Sequence, residues 1–145
     1  MVDIRRIDKI TRTMKAENKV PAYSDFYNNF NVHPETGSLV RNLNDAAVKR
    51  SIRNLILTET GDRLFQPNIA CNINSLLFEN ISSFIADNIK IKIEEIIGMH
   101  ESRAKILQTI VVPNEVQNSY EIAIIFEVIN STTPSTVNLT LYRVR

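Results

Sequence analysis

Beyond residue 100 the hydrophobic period of the chain changes from helical to two, which divides it into a helical part and a sheet part. Over about 46–58, Val48, Ile52, Leu55 and Ile56 fall at i, i+4, i+7 and i+8, with Lys49, Arg50 and Arg53 on the other side. That spacing predicts an amphipathic helix, with Asn44 or Asp45 as its N-cap and Gly61 as the left-handed stop. A longer helix is predicted over about 81–98, capped by Asn80 and ended by Gly98. Its broad apolar face holds Ile81, Phe84, Ile85, Ile89, Ile93, Ile96 and Ile97, with Ile91 off that face as the candidate for a second buried contact. Between the helices, residues 62–74 read as irregular around Pro67, and Leu76-Leu77-Phe78 as a compact apolar plug.

Three strands follow, each with alternate residues on one face. The first, 103–112, aligns Ala104, Ile106, Gln108, Ile110 and Val112. The second, 119–129, aligns Tyr120, Ile122, Ile124, Phe126 and Val128, and the third, 136–144, aligns Val137, Leu139 and Leu141. Pro113-Asn114 and Ser131–Pro134 are the expected turns. Upstream, Phe30–Val32 and Ser38–Arg41 flank a turn at Pro34–Gly37 and predict a small hairpin, while Tyr23–Phe30 reads as a segment packed at the domain edge. The class is α+β: two main helices on a C-terminal three-stranded antiparallel meander, with a small N-terminal hairpin and a helical or flexible basic leader. Residues 1–22 are expected to form an arm and residues 23–145 one domain.

Charge separates that arm from the rest. The 145 residues sum to +1, with 43% hydrophobic and 23% charged residues, ordinary values for a globular chain. Yet residues 1–20 carry six basic and three acidic side chains, so the remainder is slightly acidic. Ile4, Ile7, Ile10 and Met14 form a short helical stripe in this leader. Two fates stay open for it: a solvated or frayed helix, or an arm ordered on a partner. A near-neutral sum, and no aromatic residue before Tyr23, argue against nucleic-acid binding. No run approaches the roughly 20 apolar residues of a membrane helix, and the charged start does not read as a secretory signal.

Candidate chemistry is sparse. Cys71 is the only cysteine, so no intramolecular disulfide forms, and a reducing compartment suits it. His33, beside a turn proline, and His100, at a helix end, read as surface or capping residues. Neither they nor Cys71 show metal-ligand spacing. Glu94, Glu95 and Glu101 cluster in sequence and leave a paired-carboxylate hydrolase as the enzyme alternative, although helix-end charges are the plainer reading. Glu101 and Arg103, two apart in an extended segment, point to one side and can pair with each other or face a partner together.

A resemblance adds to this. Ala47–Asn54, Thr60-Gly61-Asp62-Arg63-Leu64-Phe65-Gln66-Pro67, Cys71–Asn80 and Glu101-Ser102-Arg103, in that order, resemble the baseplate wedge subunits that start the sheath of contractile phage tails. That family also includes a type VI secretion baseplate component. The likeness runs over roughly residues 40–130. Ser102 stands where the family's Glu-Pro-Arg signature has proline, Leu64 where proline is usual after Arg63, and Ala70 where glycine is usual before Cys71.

The resemblance implies a structural, non-enzymatic virion protein without a cofactor. It would sit in the baseplate beside the tail tube, assembled in the host cytoplasm, with six copies around the tube. Its implied partners are the tail tube protein, the tail sheath protein and other wedge proteins, with no nucleic acid and no membrane. Glu101 and Arg103 are the expected contacts to the wedge core. Leu141, Tyr142, Arg143 and Val144 are the expected edge for sheath strand augmentation. Some family members carry a lysozyme label, so a peptidoglycan hydrolase is the alternative, though no residue pair supports it.

Overall fold

The computed structural model describes residues 22–129, 131 and 133–143. The leader, with its isoleucine stripe, and Val144 lie outside the described residues. The fold is the expected α+β arrangement. A two-stranded antiparallel sheet joins β1 (Ser24–Phe26) and β2 (Arg41–Leu43). Three helices follow: α1 (Asp45–Leu57), the single turn α2 (Asn74–Leu77) and α3 (Ser83–His100). The chain ends in the antiparallel meander β3 (Ala104–Asn114), β4 (Ser119–Val128) and β5 (Pro134–Tyr142), in that spatial order.

The hairpin has a longer stem than its turn residues suggest. Val32 bridges Leu39, and Gly37, at φ +64°, closes the turn with its N–H on the His33 carbonyl. The stem then resumes as β1 and β2, with Ser24 opposite Leu43 and Phe26 opposite Arg41. So Ser24–Phe26, read as edge packing, is a strand: its partner supplies the pairing that its own polar composition does not announce.

The helix boundaries move for local reasons. Asn44 precedes α1 but its side chain caps nothing there. Its Oδ1 instead accepts the N–H groups of Ala22 (2.9 Å) and Tyr23 (3.5 Å), tying the start of β1 to the start of α1. α1 ends at Thr58, whose hydroxyl donates to the Asn54 carbonyl at 2.6 Å, and not at Gly61. Gly61, at φ +92°, turns the following loop and donates its N–H to the Pro67 carbonyl. Ser82, not Asn80, caps α3, accepting the Ile85 N–H on its Oγ at 3.3 Å. Gly98 does not stop α3, which runs on to His100. Since glycine only disfavours a helix interior by about 1 kcal/mol, the burial of Ile96 and Ile97 just before Gly98 overrides it.

The core lies between the helices and one face of the meander. Ile52, Ile89, Ile93 and Ile97 from α1 and α3 meet Tyr120, Ile122, Ile124 and Phe126 from β4. α3 packs chiefly on β3, and α1 on β5, α3 and β2. Phe84 points to solvent, so the apolar face of α3 is narrower than its sequence suggests. Of the apolar plug, Leu77 is buried and Phe78 exposed.

The largest departure is in β3. Ile106 faces Phe126 and Gln108 faces Ile125, so Leu107 is an extra residue in a β-bulge. A one-residue shift exchanges the two faces of a strand. Beyond the bulge, Thr109 and Val111 therefore turn inward, and Ile110 and Val112, expected inside, face out at 39% and 50% exposure. The β3–β4 turn also falls later than Pro113-Asn114, over residues 115–118, with Asn118 at φ +49°.

Candidate functional site

Two features of the fold carry chemistry useful for joining. The first is a charged corner where α3 ends. Glu101 follows the last helical residue, and its N–H donates to the Ile97 carbonyl. The Ala104 N–H then closes a turn onto the Glu101 carbonyl, so the chain bends here with Ser102 in place of proline. The bend aims Arg103 back at Glu101, with Nε donating to Oε1 at 2.7 Å and Nη2 to Oε2 at 2.9 Å. This planar, two-pronged geometry is the strong form of the pair. Arg103 Nη1 also donates to Asp25 Oδ2 at 3.2 Å, and the guanidinium lies 5.6 Å from the Tyr23 ring centre. Tyr23 in turn donates its hydroxyl to the Ile129 carbonyl at 3.4 Å.

Glu101 is only 3% exposed, so this is not a solvated surface pair. Burial by itself pushes the Glu101 pKa up. The Arg103 hydrogen bonds and charge, with Ser51, outweigh burial and hold the carboxyl below its ordinary range. The hydrogen bond to Glu101 pushes the Arg103 pKa higher still, making it a permanent cation. The arrangement brings Glu101 and Arg103 together and recruits Asp25 and Tyr23, which sequence reasoning missed. Asp25 lies in β1 and Tyr23 just before it, almost eighty residues upstream, and no linear pattern links them to the corner.

The second feature is the rim of the meander. The Arg143 N–H donates to the Asn118 carbonyl, continuing the constant β4–β5 register by one bonded pair. Bonded and non-bonded pairs alternate in an antiparallel ladder. Leu141, Leu139, Val137 and Ser135 therefore bond to β4, while Thr136, Asn138, Thr140 and Tyr142 direct their N–H and C=O groups to the open side. Pro134 falls on that open row, where its missing N–H removes no ladder bond.

On the opposite rim, the Ile129 N–H donates to the Arg103 carbonyl, which starts the β3–β4 bonding. Because even-numbered residues of β4 bond to β5, its odd-numbered residues bond to β3, and Pro113 lies on the open row of β3. The β3 rim is thus broken by a proline and a bulge, both of which blunt strand addition. The β5 rim runs unbroken from Thr136 to Tyr142 and, among the described residues, pairs only with β4.

The four residues expected at that rim divide accordingly. Tyr142 lies on the open row and is 63% exposed. Leu141 turns its side chain into the core, and Arg143 donates through Nη2 to Asn80 Oδ1 at 3.0 Å.

The groups considered for catalysis do not converge. Burial pushes the Cys71 thiol up to about 11, only partly opposed by Lys92, which leaves a protonated, poor nucleophile. His33 caps its own turn, accepting the Glu35 and Thr36 N–H groups on Nδ1. A glycosidase acid needs a raised pKa, whereas Glu101 is held ionised. Among the described residues no three His, Cys, Asp or Glu side chains gather to hold a metal ion, and no helix is long and apolar enough to cross a membrane.

Fold and site together define a small α+β module whose conspicuous chemistry is a buried charge joint and an open sheet rim. Residues 43–133 match the family model described as baseplate wedge protein gp25, and the chain belongs to that family of structural baseplate proteins of contractile tails. Over 73 residues it is 33% identical to baseplate wedge protein gp25 of Enterobacteria phage T4, covering 50% of this chain and 55% of that relative. The chain thus spans about half the length of the curated relative it matches.

Two solved structures share the fold. One is a Geobacter sulfurreducens protein provisionally described as a tail lysozyme, with TM-score 0.62 and 23% identity, covering 68% of this chain and 89% of the other. The other is a chain of the sixfold-symmetrised baseplate of the anti-feeding prophage, with TM-score 0.60 and 24% identity, covering 85% and 86%.

Proposed function

We propose that this chain is a structural subunit of the inner baseplate that contacts the tail tube and wedge core and starts sheath polymerisation by lending β5 to strand augmentation. The observation that carries this reading is the asymmetry of the two rims. An open row of N–H and C=O groups is an aggregation hazard that a free-standing protein blunts, as on β3. Leaving the β5 row intact favours a chain that is meant to be extended. Each copy then nucleates one sheath protofilament, and six copies around the tube match the sixfold baseplate that contains the structural neighbour.

The charged corner has a second role in this reading. Arg103 is a quarter exposed and keeps a further N–H on Nη2, so it meets the wedge core while Glu101 holds it in place. The protein acts in the virion, beside the tube, after assembly in the host cytoplasm. The lysozyme description of one neighbour finds no support in these residues.

The test separates the rim from the fold. Asn138→Pro removes an N–H on the open row and leaves the β4 ladder bonded, whereas Val137→Pro breaks the ladder itself. With Asn138→Pro, baseplates and tubes should form and sheath should fail to extend, as seen by negative-stain microscopy. Sheath of normal length on baseplates carrying a folded Asn138→Pro protein would refute strand augmentation through β5.

A further inference from the structure

The open rim of β5 is flanked by a basic helix face. A shallow groove of about 310 Å³ runs between α1 and β5, and Lys49, Arg50 and Arg53 line one wall while Thr136 and Asn138 line the other. Asn42 borders the same groove, and its Nδ2 is buried with no hydrogen-bond partner among the described residues. Arg50 is already occupied: it stacks 4.1 Å from the Tyr27 ring centre, and its Nε donates to Asn28 Oδ1 at 2.9 Å. Lys49 and Arg53 make no ion pair among the described residues. The nearest acid on the same helix, Asp45, sits at the Ser135 end and accepts the Ser135 hydroxyl at 3.4 Å. The free side-chain groups of this groove are therefore donors and cations, two basic side chains and an amide N–H, beside the outward N–H and C=O groups of Thr136 and Asn138.

We propose that the segment received along β5 is an acidic extended peptide whose alternate carboxylates pair with Lys49 and Arg53. The inference rests on the β5-rim reading above and adds the chemistry of the partner. A strand added to β5 projects every second side chain to the helix side of the sheet, above α1. Carboxylates there meet cations that form no ion pair among the described residues, whereas lysines there would be repelled, so the groove selects its strand by charge as well as by backbone pairing. A peptide fits better than a nucleic acid, because the outward N–H groups alternate with C=O groups, which repel phosphate oxygens.

The test uses the purified chain and synthetic peptides matched to β5 in length, 9 residues. They alternate Thr and Val, with Glu, Gln or Lys at two successive Thr positions, so that the charges recur at every second residue. The readouts are fluorescence anisotropy and the amide shifts of Thr136, Asn138 and Thr140. At low salt the Glu peptide should bind about tenfold more tightly than the Gln peptide, with the difference collapsing at ~1 M salt. The Lys49→Glu/Arg53→Glu variant should transfer the preference to the Lys peptide. Asn138→Pro should abolish binding of all three.

If the charge-reversed variant still prefers Glu while Asn138→Pro abolishes binding, the acidic partner is overturned and the rim reading stands. If binding survives Asn138→Pro, the rim reading falls and takes this inference with it. Tighter binding of a single-stranded DNA oligonucleotide than of the Glu peptide, or no peptide binding at all, also overturns the proposal.

Discussion

Arg103 grips Glu101 with two parallel hydrogen bonds, 2.7 and 2.9 Å, across Ser102 in the turn between α3 and β3. Because Glu101 is almost fully buried, the pair behaves as one unit: the carboxylate is tolerable inside only while the guanidinium is there. Arg103→Met should cost about 3–5 kcal/mol, the penalty for stranding a buried charge. Arg103→Lys should retain only part of the stability, since a single ammonium cannot span both oxygens. The joint replacement Glu101→Leu/Arg103→Met should recover most of it. Urea unfolding of the three variants checks this, and equal losses in all three would show that the corner is not coupled.

The same pair sets an acid limit. The folded Glu101 pKa lies below its ordinary value of 4.5, so its stabilisation is complete above that pH and is lost as pH falls through the folded value. In Arg103→Met burial, the largest cause, is opposed only by the hydrogen bonds from Ser51 and from the backbone at position 103, so the Glu101 pKa rises and the sign reverses: the variant regains stability on acidification. The gap in urea midpoint between wild type and variant should therefore narrow from pH 7 to about pH 4. A gap independent of pH would exclude Glu101 as the linked group.

The bulge at Leu107 makes an unusual pair of expectations. Thr109 is 3% exposed, and its hydroxyl has no hydrogen-bond partner among the described residues. Thr109→Val should therefore stabilise the fold by about 1 kcal/mol. Ile110→Asp, which strict alternation would make ruinous, should cost no more than about 1 kcal/mol on the outer face. Thermal melts of both variants check this, and a large loss in Ile110→Asp with no gain in Thr109→Val would contradict the reversed faces.

On α3 the contrast lies between two isoleucines that composition does not distinguish. Ile93 is fully buried and Ile91 is 60% exposed. Ile93→Ala should cost about 2–5 kcal/mol through the cavity it leaves, and Ile91→Ala less than about 0.5 kcal/mol. Comparable losses would mean that the helix is rotated about its axis.

Much of this was legible in the residues. The spacing of Val48, Ile52, Leu55 and Ile56 marked the buried face of α1, and Tyr120 to Val128 marked that of β4, because each pattern records a single face against one core. Ile91 lies off the buried stripe as its position predicts, but it makes no second buried contact: it faces solvent. Helix ends were less legible. Asn44, Asn80, Gly61 and Gly98 are all plausible punctuation, and the structure uses Asn44 to hold β1, Asn80 to hold Arg143 and Gly61 to turn a loop. Capping residues compete for partners that sequence does not place.

What the sequence by itself determined is the order of the two main helices and the three meander strands, the core-facing residues of α1 and β4, and the placing of Glu101 and Arg103 on one side of the chain. All of these depend on residues close together in the chain. The tertiary structure alone decided the rest: the recruitment of Asp25 and Tyr23 to Arg103, the reversal of faces at Leu107, and which rim of the meander stays open. Each depends on a partner strand or side chain brought in from far along the chain, and pairing across such distances is settled by packing of the whole core.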